Sequence, residues 1–115
     1  MASLVEVAWF TDRVDEMAAF YDKVVGSAPV YRGDGIAIFK EAGVTILIHS
    51  RTASHPDGPP NENHIALAVS DVDAVCEALT KQGLTILFPP HDYSWGRSAY
   101  LRDPDGMLVE LQNRQ

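Results

Sequence analysis

The sequence predicts an α+β fold in which one β-α-β-β-β module is used twice. In each half, an alternating apolar strand precedes a helical pattern, and three short strands separated by turn residues follow it. Sliding one half over the other by 58 positions, without gaps, lays Val7 on Ile65 and Val14 on Val72. Such self-similarity at a fixed spacing is typical of a repeated structural unit.

The length of 115 residues suits one compact domain. We expect this domain to consist of two modules, about 1–52 and 62–115. A stretch rich in proline and polar residues, about 50–63, is expected to link them because its length suits a crossing more than a hairpin turn.

The first module begins with a strand in which Val5, Val7 and Trp9 alternate with Glu6 and Ala8. A helix of roughly three turns should follow, because apolar residues then recur at helical spacing. We expect Asp12 to cap its N-terminus and Gly26 to end it. Three strands complete the module, near Ala28–Arg32, Ile36–Lys40 and Val44–His49.

The second module repeats this order. A strand over His64–Val69 leads to a helix capped by Ser70 or Asp71 and ending near Gln82 and Gly83. The predicted strands that follow lie near Thr85–Phe88, Arg97–Arg102 and Leu108–Gln112.

Composition excludes several classes of protein. With 46% hydrophobic and 22% charged residues, the chain resembles an ordinary soluble globular protein. The net charge of −7 argues against nucleic acid as a partner, and no apolar run approaches membrane-spanning length. Cys76 is the single cysteine of the sequence and cannot form an intrachain disulfide, so we expect it to pack in the core. The same observation leads us to expect a cytoplasmic location for the protein.

The C-terminal segment carries the first candidate for a functional residue. Asp103-Pro104-Asp105-Gly106 fixes a tight turn before the last strand. Alternation along that strand then puts Leu108 and Glu110 on one face. If that face lines a cavity, Glu110 is a site residue; if it faces water, Glu110 is only the polar side of an amphipathic strand.

Three segments of the chain match motifs of a known family: AAFYDKVVG (18–26), NHIALAVSDVDAVCEAL (63–79) and WGRSAYLRDPDGMLVEL (95–111). They resemble the vicinal oxygen chelate superfamily, which includes glyoxalase I, bleomycin-resistance proteins, methylmalonyl-CoA epimerase and extradiol dioxygenases. The resemblance covers nearly the whole chain. It implies that the modules form a curved mixed sheet around a half-barrel cleft and that the chain is a homodimer.

The resemblance also implies a metal site. His64 and Glu110 match two ligand positions of such proteins, and Glu6 stands where many relatives have histidine. At the fourth position, in Val44–His49, only His49 could coordinate. Two carboxylates crowded in one cleft require a cation or a shared proton, so Zn²⁺, Mn²⁺, Ni²⁺, Fe²⁺ and Co²⁺ are all candidates. Either Glu110 or Glu6 would serve as the base that removes a C–H proton.

Each of these residues has an alternative interpretation. His64 would be a half-buried strand histidine bonded to a backbone carbonyl, and Glu6 would face water on an edge strand. The segment Pro89–Gly96 suits either a lid over the cleft or a rigid surface turn. Arg97 suits a substrate anion or a surface carboxylate. The predicted substrate-binding residues, some of which would otherwise be core aromatics, are Phe10, His49, Tyr93, Trp95, Arg97 and Tyr100.

Two function classes follow. The first is a metal-dependent lyase, isomerase or epimerase that acts on a small oxygen-rich metabolite and depends on Glu6, His64 and Glu110. The second is a metal-free protein that sequesters a drug or metabolite in an aromatic-lined cleft. The retained His64 and Glu110 favour the enzyme, whereas the missing first-strand histidine favours the binding protein.

Overall fold

The computed structural model describes residues 2–51, 58–59 and 61–113. Residues 52–57 and 60 of the predicted linker lie outside the described residues. The element order confirms a strand, a helix and three strands, used twice. The elements are β1 Ser3–Thr11, α1 Val14–Val25, β2 Tyr31–Gly33, β3 Ile36–Glu41, β4 Val44–Ser50, β5 His64–Val69, α2 Val72–Lys81, β6 Phe88–Tyr93, β7 Gly96–Arg102 and β8 Leu108–Asn113.

The chain divides into two compact units. The N-terminal unit comprises residues 6–63, and the C-terminal unit comprises residues 64–115 together with 1–5. In the N-terminal unit the strands pair in the order β2-β3-β4-β1, with β4 and β1 parallel. In the C-terminal unit the order is β6-β7-β8-β5, with β8 and β5 parallel. Both units therefore use the same strand topology.

Each unit buries one face of its strands against its own helix. In the N-terminal unit, Val14 and Ala18 of α1 pack with Phe39 and Ile48. In the C-terminal unit, the corresponding cluster joins residues of α2 to β5, β7 and β8; its buried members are Val69, Val72, Cys76, Ala99, Leu101 and Leu111. Because side chains alternate along a strand, the polar and aromatic candidates other than Arg97 fall on the opposite faces.

The helix ends follow local rules, with one correction. Asp71 caps α2, its side chain accepting from the Ala74 N–H at 3.2 Å, and Gly26 ends α1 in a left-handed conformation at φ 85°. The prediction that Asp12 caps α1 is wrong, since Arg13 holds that position without a side-chain cap. The Asp12 carboxylate instead pairs with Arg51 at 3.5 Å.

Two strand predictions also need correction. The strand predicted near Ala28–Arg32 is confined to Tyr31–Gly33. The strand predicted near Thr85–Phe88 lies at Phe88–Tyr93, so most of the segment 89–96, predicted as either a lid or a surface turn, belongs to a strand. Two prolines fit β6 because it is the outermost strand of its unit. On the open side of such a strand no neighbouring strand requires the N–H group that proline lacks. The pairing with β7 shifts register between Phe88 and His91, at these prolines.

No helix in the described part of the chain is long and apolar enough to cross a membrane.

Candidate functional site

The centre of the candidate site is Glu110, in the middle of β8. It is 3% exposed, and Leu108 on the same face is fully buried. The surface interpretation of Glu110 is therefore wrong, because this face of β8 is closed to water. A carboxylate in such a place requires donors or a counter-charge.

His64 supplies one contact to this carboxylate. It is the first residue of β5, which runs parallel to β8 with Ala66 opposite Glu110, so His64 lies two residues away on the same face. Its Nε2 atom is 3.2 Å from Glu110 Oε1, and its side chain is 8% exposed. The structure thus brings two of the three predicted metal ligands into direct contact.

The other oxygen of Glu110 accepts three hydrogen bonds. The Ser98 hydroxyl donates to Oε2 at 2.7 Å, the Trp95 indole N–H at 3.1 Å and the Gln112 amide at 3.2 Å. The Trp95 N–H also lies 3.1 Å from Ser98 Oγ. Protein donors therefore hold Oε2, and Oε1 faces His64.

These contacts set the charge of the site. Burial raises the pKa of Glu110, but hydrogen bonds from His64 and Ser98, the His64 charge and the Trp95 N–H outweigh it and leave the pKa below its ordinary value. Glu110 is therefore a carboxylate at neutral pH. Burial, and then the charge of Glu110, raises the pKa of Tyr93.

Aromatic side chains surround the pair. Tyr93 and Trp95 stack with ring centroids 4.7 Å apart and planes 5° from parallel. Tyr100, 2% exposed, meets the rings of His64 and Tyr93 edge to face, at 6.1 Å each. Trp95, in contrast, is 47% exposed, so this aromatic group extends from the interior of the unit to its surface.

Arg97 lies at the start of β7 but contacts carboxylates of the chain. Its guanidinium donates to both oxygens of Asp73, at 2.7 and 2.9 Å, and to Asp92 at 3.0 Å. The hydrogen bond from Arg97 lowers the pKa of Asp73. The surface-carboxylate interpretation describes these contacts, and a substrate role for Arg97 stays a prediction.

Three predicted site residues belong to the N-terminal unit: Glu6, Phe10 and His49. Glu6 pairs with Thr45 and Phe10 with His49 in the parallel ladder of β1 and β4. The rings of Phe10 and His49 are 5.4 Å apart, and His49 Nδ1 lies 2.8 Å from the Ser50 carbonyl oxygen. All three predicted residues are half-buried.

Within either unit, the described residues include no group of three or more His, Cys, Asp or Glu side chains that could hold a metal ion. Glu6 belongs to one unit, and His64 and Glu110 belong to the other. Glu6 as the third ligand of His64 and Glu110 therefore stays a prediction.

Sequence reasoning missed Ser98 and Gln112. Both share the face of Glu110, because Gln112 follows it by two residues and Ser98 pairs with Gln112 across β7 and β8. The alternation of β8 was the available signal for Gln112. Ser98 could be found only from the register of the two strands.

Comparison with known proteins identifies the family. A model described as the Glyoxalase/Bleomycin resistance protein/Dioxygenase superfamily matches residues 3–111. The chain belongs to this superfamily. The resemblance carried by the three sequence segments is therefore confirmed, and with it the fold class.

Two curated proteins match over most of the chain. A Mycobacterium tuberculosis protein named "Putative glyoxylase CFP32" is 34% identical over 106 residues, which cover 88% of this chain and 40% of the relative. "Metallothiol transferase FosB" from Shouchella clausii is 32% identical over 108 residues, covering 85% of this chain and 70% of that protein. The chain thus spans about 40% of the length of CFP32.

Solved structures show the same fold. Methylmalonyl-CoA epimerase from Mycobacterium tuberculosis aligns with a TM-score of 0.72 at 22% identity, over 97% of this chain and 87% of the epimerase chain. A superfamily member from Vibrio splendidus 12B01 aligns with a TM-score of 0.68 at 14% identity, over 99% of this chain and 100% of that chain. At these identities the likeness concerns the fold alone.

Proposed function

We propose that the chain is a divalent-metal-dependent lyase, isomerase or epimerase that acts on a small oxygen-rich metabolite. The observation that carries the proposal is the buried contact of His64 Nε2 with Glu110 Oε1 at 3.2 Å. Superfamily membership supports it, and among the relatives one is named a metallothiol transferase and one structural neighbour an epimerase.

The donor pair fits a divalent cation. Imidazole nitrogen and carboxylate oxygen bind such ions at about 2.0–2.2 Å, so two adjacent ligands lie roughly 3.0–3.5 Å apart. The observed separation of 3.2 Å falls within that range. The three donors on Oε2 supply the outer contacts that ligating carboxylates usually have. When bound, the cation would polarise a substrate carbonyl and stabilise the enolate charge.

The two carboxylates would then have different roles. Glu110 suits a ligand more than a base, because its donors keep the pKa below the ordinary value and so weaken its hold on a proton. Glu6, which we predict as the third ligand, is the better candidate to accept the C–H proton. We further propose that the chain acts as a homodimer, which light scattering after size-exclusion chromatography would test.

Metal content per chain, measured by elemental mass spectrometry on untagged protein, tests the proposal. We expect close to one divalent ion per chain, lost in His64→Ala and retained in His91→Ala, which changes an exposed histidine of the same unit. Loss in Glu6→Ala would identify the third ligand. No bound ion after incubation with Zn²⁺, Mn²⁺, Ni²⁺, Fe²⁺ or Co²⁺ would refute the proposal.

A metal-bound protein justifies a substrate screen. The proposed chemistry needs two neighbouring oxygen atoms and an acidic C–H bond, so adducts of 2-oxoaldehydes and epimerisable acyl substrates are the first compounds to test. Exchange of substrate hydrogen with solvent deuterium, followed by NMR, would detect proton removal even when no net product forms.

A second candidate is a metal-free small-molecule binding protein. Two observations favour it: Glu110 is satisfied by protein donors alone, and the Trp95 ring stacked on Tyr93 is 47% exposed. If the metal test fails, quenching of tryptophan fluorescence by planar ligands added to chelator-treated protein is the next measurement.

A further inference from the structure

Trp95 joins the surface of the C-terminal unit to its buried carboxylate. It lies in the turn between β6 and β7 and is 47% exposed, whereas Ser98 is fully buried and Glu110 is 3% exposed. Its indole N–H nevertheless lies 3.1 Å from Glu110 Oε2 and from Ser98 Oγ. A half-exposed ring thus takes part in the buried hydrogen-bond network.

Hydrogen bonds decide how the Glu110 carboxylate is turned. The last torsion of a glutamate side chain is broad, so its rotamer alone does not fix the plane of the carboxylate. Three donors on one oxygen do fix that plane, because rotating the carboxylate out of it would weaken the bonds from Trp95, Ser98 and Gln112 together. Oε1 is thereby kept 3.2 Å from His64 Nε2.

The Trp95 ring is itself held in place. Tyr93 covers one face of the indole, with centroids 4.7 Å apart. Two residues further along the chain, Arg97 binds Asp73, which anchors the β6–β7 hairpin to the start of α2. Arg97 also binds Asp92, which links the two strands of the hairpin. An anchored donor loses little freedom when it bonds the carboxylate.

We propose that Trp95 is a positioning residue that keeps Glu110 Oε1 directed at His64 and thereby sets the affinity of this pair for a divalent cation. The affinity part rests on the proposed function. The positioning part does not, since it concerns hydrogen bonds that exist without a cation. The two parts are therefore tested by separate measurements.

The first measurement follows the indole N–H by ¹H–¹⁵N NMR without metal. The chain has two tryptophans, so Trp9→Phe assigns both indole signals. We expect Glu110→Gln to move the Trp95 signal upfield, because a charged acceptor becomes neutral, and to leave the Trp9 signal in place. We also expect Trp95→Phe, but not Trp9→Phe, to change the His64 ring ¹⁵N shifts. An indole N–H signal of Trp95 that does not shift in Glu110→Gln would overturn the positioning role.

The second measurement is Co²⁺ binding, followed by its visible absorption. We expect Trp95→Phe to weaken binding about tenfold, as is typical when an outer contact of a metal ligand is lost. Trp9→Phe, the same substitution in the core of the other unit, should leave Co²⁺ affinity unchanged within about twofold. Thermal midpoints show whether either variant has lost its fold.

The outcomes separate the two claims. If the unmodified protein binds no Co²⁺ or other divalent ion, the proposed function fails and the affinity claim fails with it, while the NMR result still decides the positioning role. If the unmodified protein and Trp95→Phe bind Co²⁺ equally well, the affinity claim is overturned although the proposed function stands.

Discussion

Glu110→Gln gives the sharpest test of the site because it keeps the shape of the side chain and removes its charge. The amide oxygen can take the place of Oε2 and accept from Ser98, Trp95 and Gln112, and the NH₂ group then faces His64. The three donors on Oε2 thus keep an acceptor, and His64 keeps a partner in the tautomer in which its Nε2 atom accepts. The loss comes from weaker bonds, since hydrogen bonds to charged groups contribute about 1.5–3 kcal/mol and neutral ones about 0.5–1.5.

Three bonds on Oε2, each weakened by about 1 kcal/mol, give a gross loss of about 3 kcal/mol. Burying a neutral amide costs less than burying a carboxylate, which offsets part of that loss. We therefore expect the free energy of unfolding at pH 7 to fall by about 1–3 kcal/mol, with a drop in Tm of about 4 °C per kcal/mol. Urea unfolding followed by circular dichroism measures this difference.

The effect has a definite pH dependence. The pKa of Glu110 in the folded protein lies below its ordinary value, so its ionisation stabilises the fold above the pKa of the unfolded chain. That stability is lost as pH falls through the lowered pKa. The difference between the original protein and Glu110→Gln should thus be full at pH 7 and shrink toward pH 3.

Glu77→Gln is the matched control for this experiment. The Glu77 side chain is 72% exposed and pairs only with Lys81 in the described contacts, so we expect a change of at most about 0.5 kcal/mol. Equal stability of Glu110→Gln and the original protein at pH 7 would refute the reasoning. A difference that does not narrow at acid pH would refute its electrostatic basis.

Single contacts elsewhere in the chain give three more tests. Asp71→Ala removes the side-chain cap on the Ala74 N–H and should lower the free energy of unfolding, measured in urea, by about 1 kcal/mol. Asp71→Ser keeps a capping oxygen and should retain most of that stability. Burial, and then the Asp73 charge, raises the pKa of the Cys76 thiol, so labelling with a disulfide reagent at pH 8 should be slow until urea is added. Arg97→Lys cannot donate to both oxygens of Asp73 as the guanidinium does, and this pairing lowers the pKa of Asp73. The resulting decrease in Tm should be present at neutral pH and disappear as pH falls through that lowered pKa.

The fold could be predicted where the signal is local. The helix α2 could be predicted from its N-cap residue and from the helical spacing of its apolar residues. The start of β8 could be predicted from the Asp-Pro-Asp-Gly sequence, which favours a tight turn just before it. The position of β6 could not be predicted this way. Two prolines argue against a strand when they are considered alone, and only the pairing of Phe88–Tyr93 with β7 makes them part of one.

The candidate site shows the same division. His64 and Glu110 could be predicted from family motifs, since each lies in a recognisable segment. The residues around them could not be predicted. Ser98 lies beside Glu110 because of the register of β7 and β8. Trp95 lies there because of the β6–β7 hairpin, whose first strand begins later in the chain than the sequence predicts. The orientation of the carboxylate depends on these long-range contacts.

Strand register also explains why the repeated module carries this site only once among the described residues. In the C-terminal unit Glu110 pairs with Ala66, and in the N-terminal unit the residue paired with Ala8 is Leu47. Ala66 and Ala8 are 58 positions apart, the same shift that relates the two halves of the sequence. Leu47 is therefore the structural counterpart of Glu110.

The partners of Glu110 have diverged in the same way. Counted from the same pairs, the counterpart of Ser98 in the N-terminal unit is Ile36, whose side chain cannot donate a hydrogen bond. A carboxylate placed at Leu47 would lose water without gaining that donor, which is the costly case for burial. The expectation of close to one divalent ion per chain, and not two, rests on this difference between the units. Two ions per chain would show that the N-terminal unit binds metal through groups other than the counterpart of Glu110.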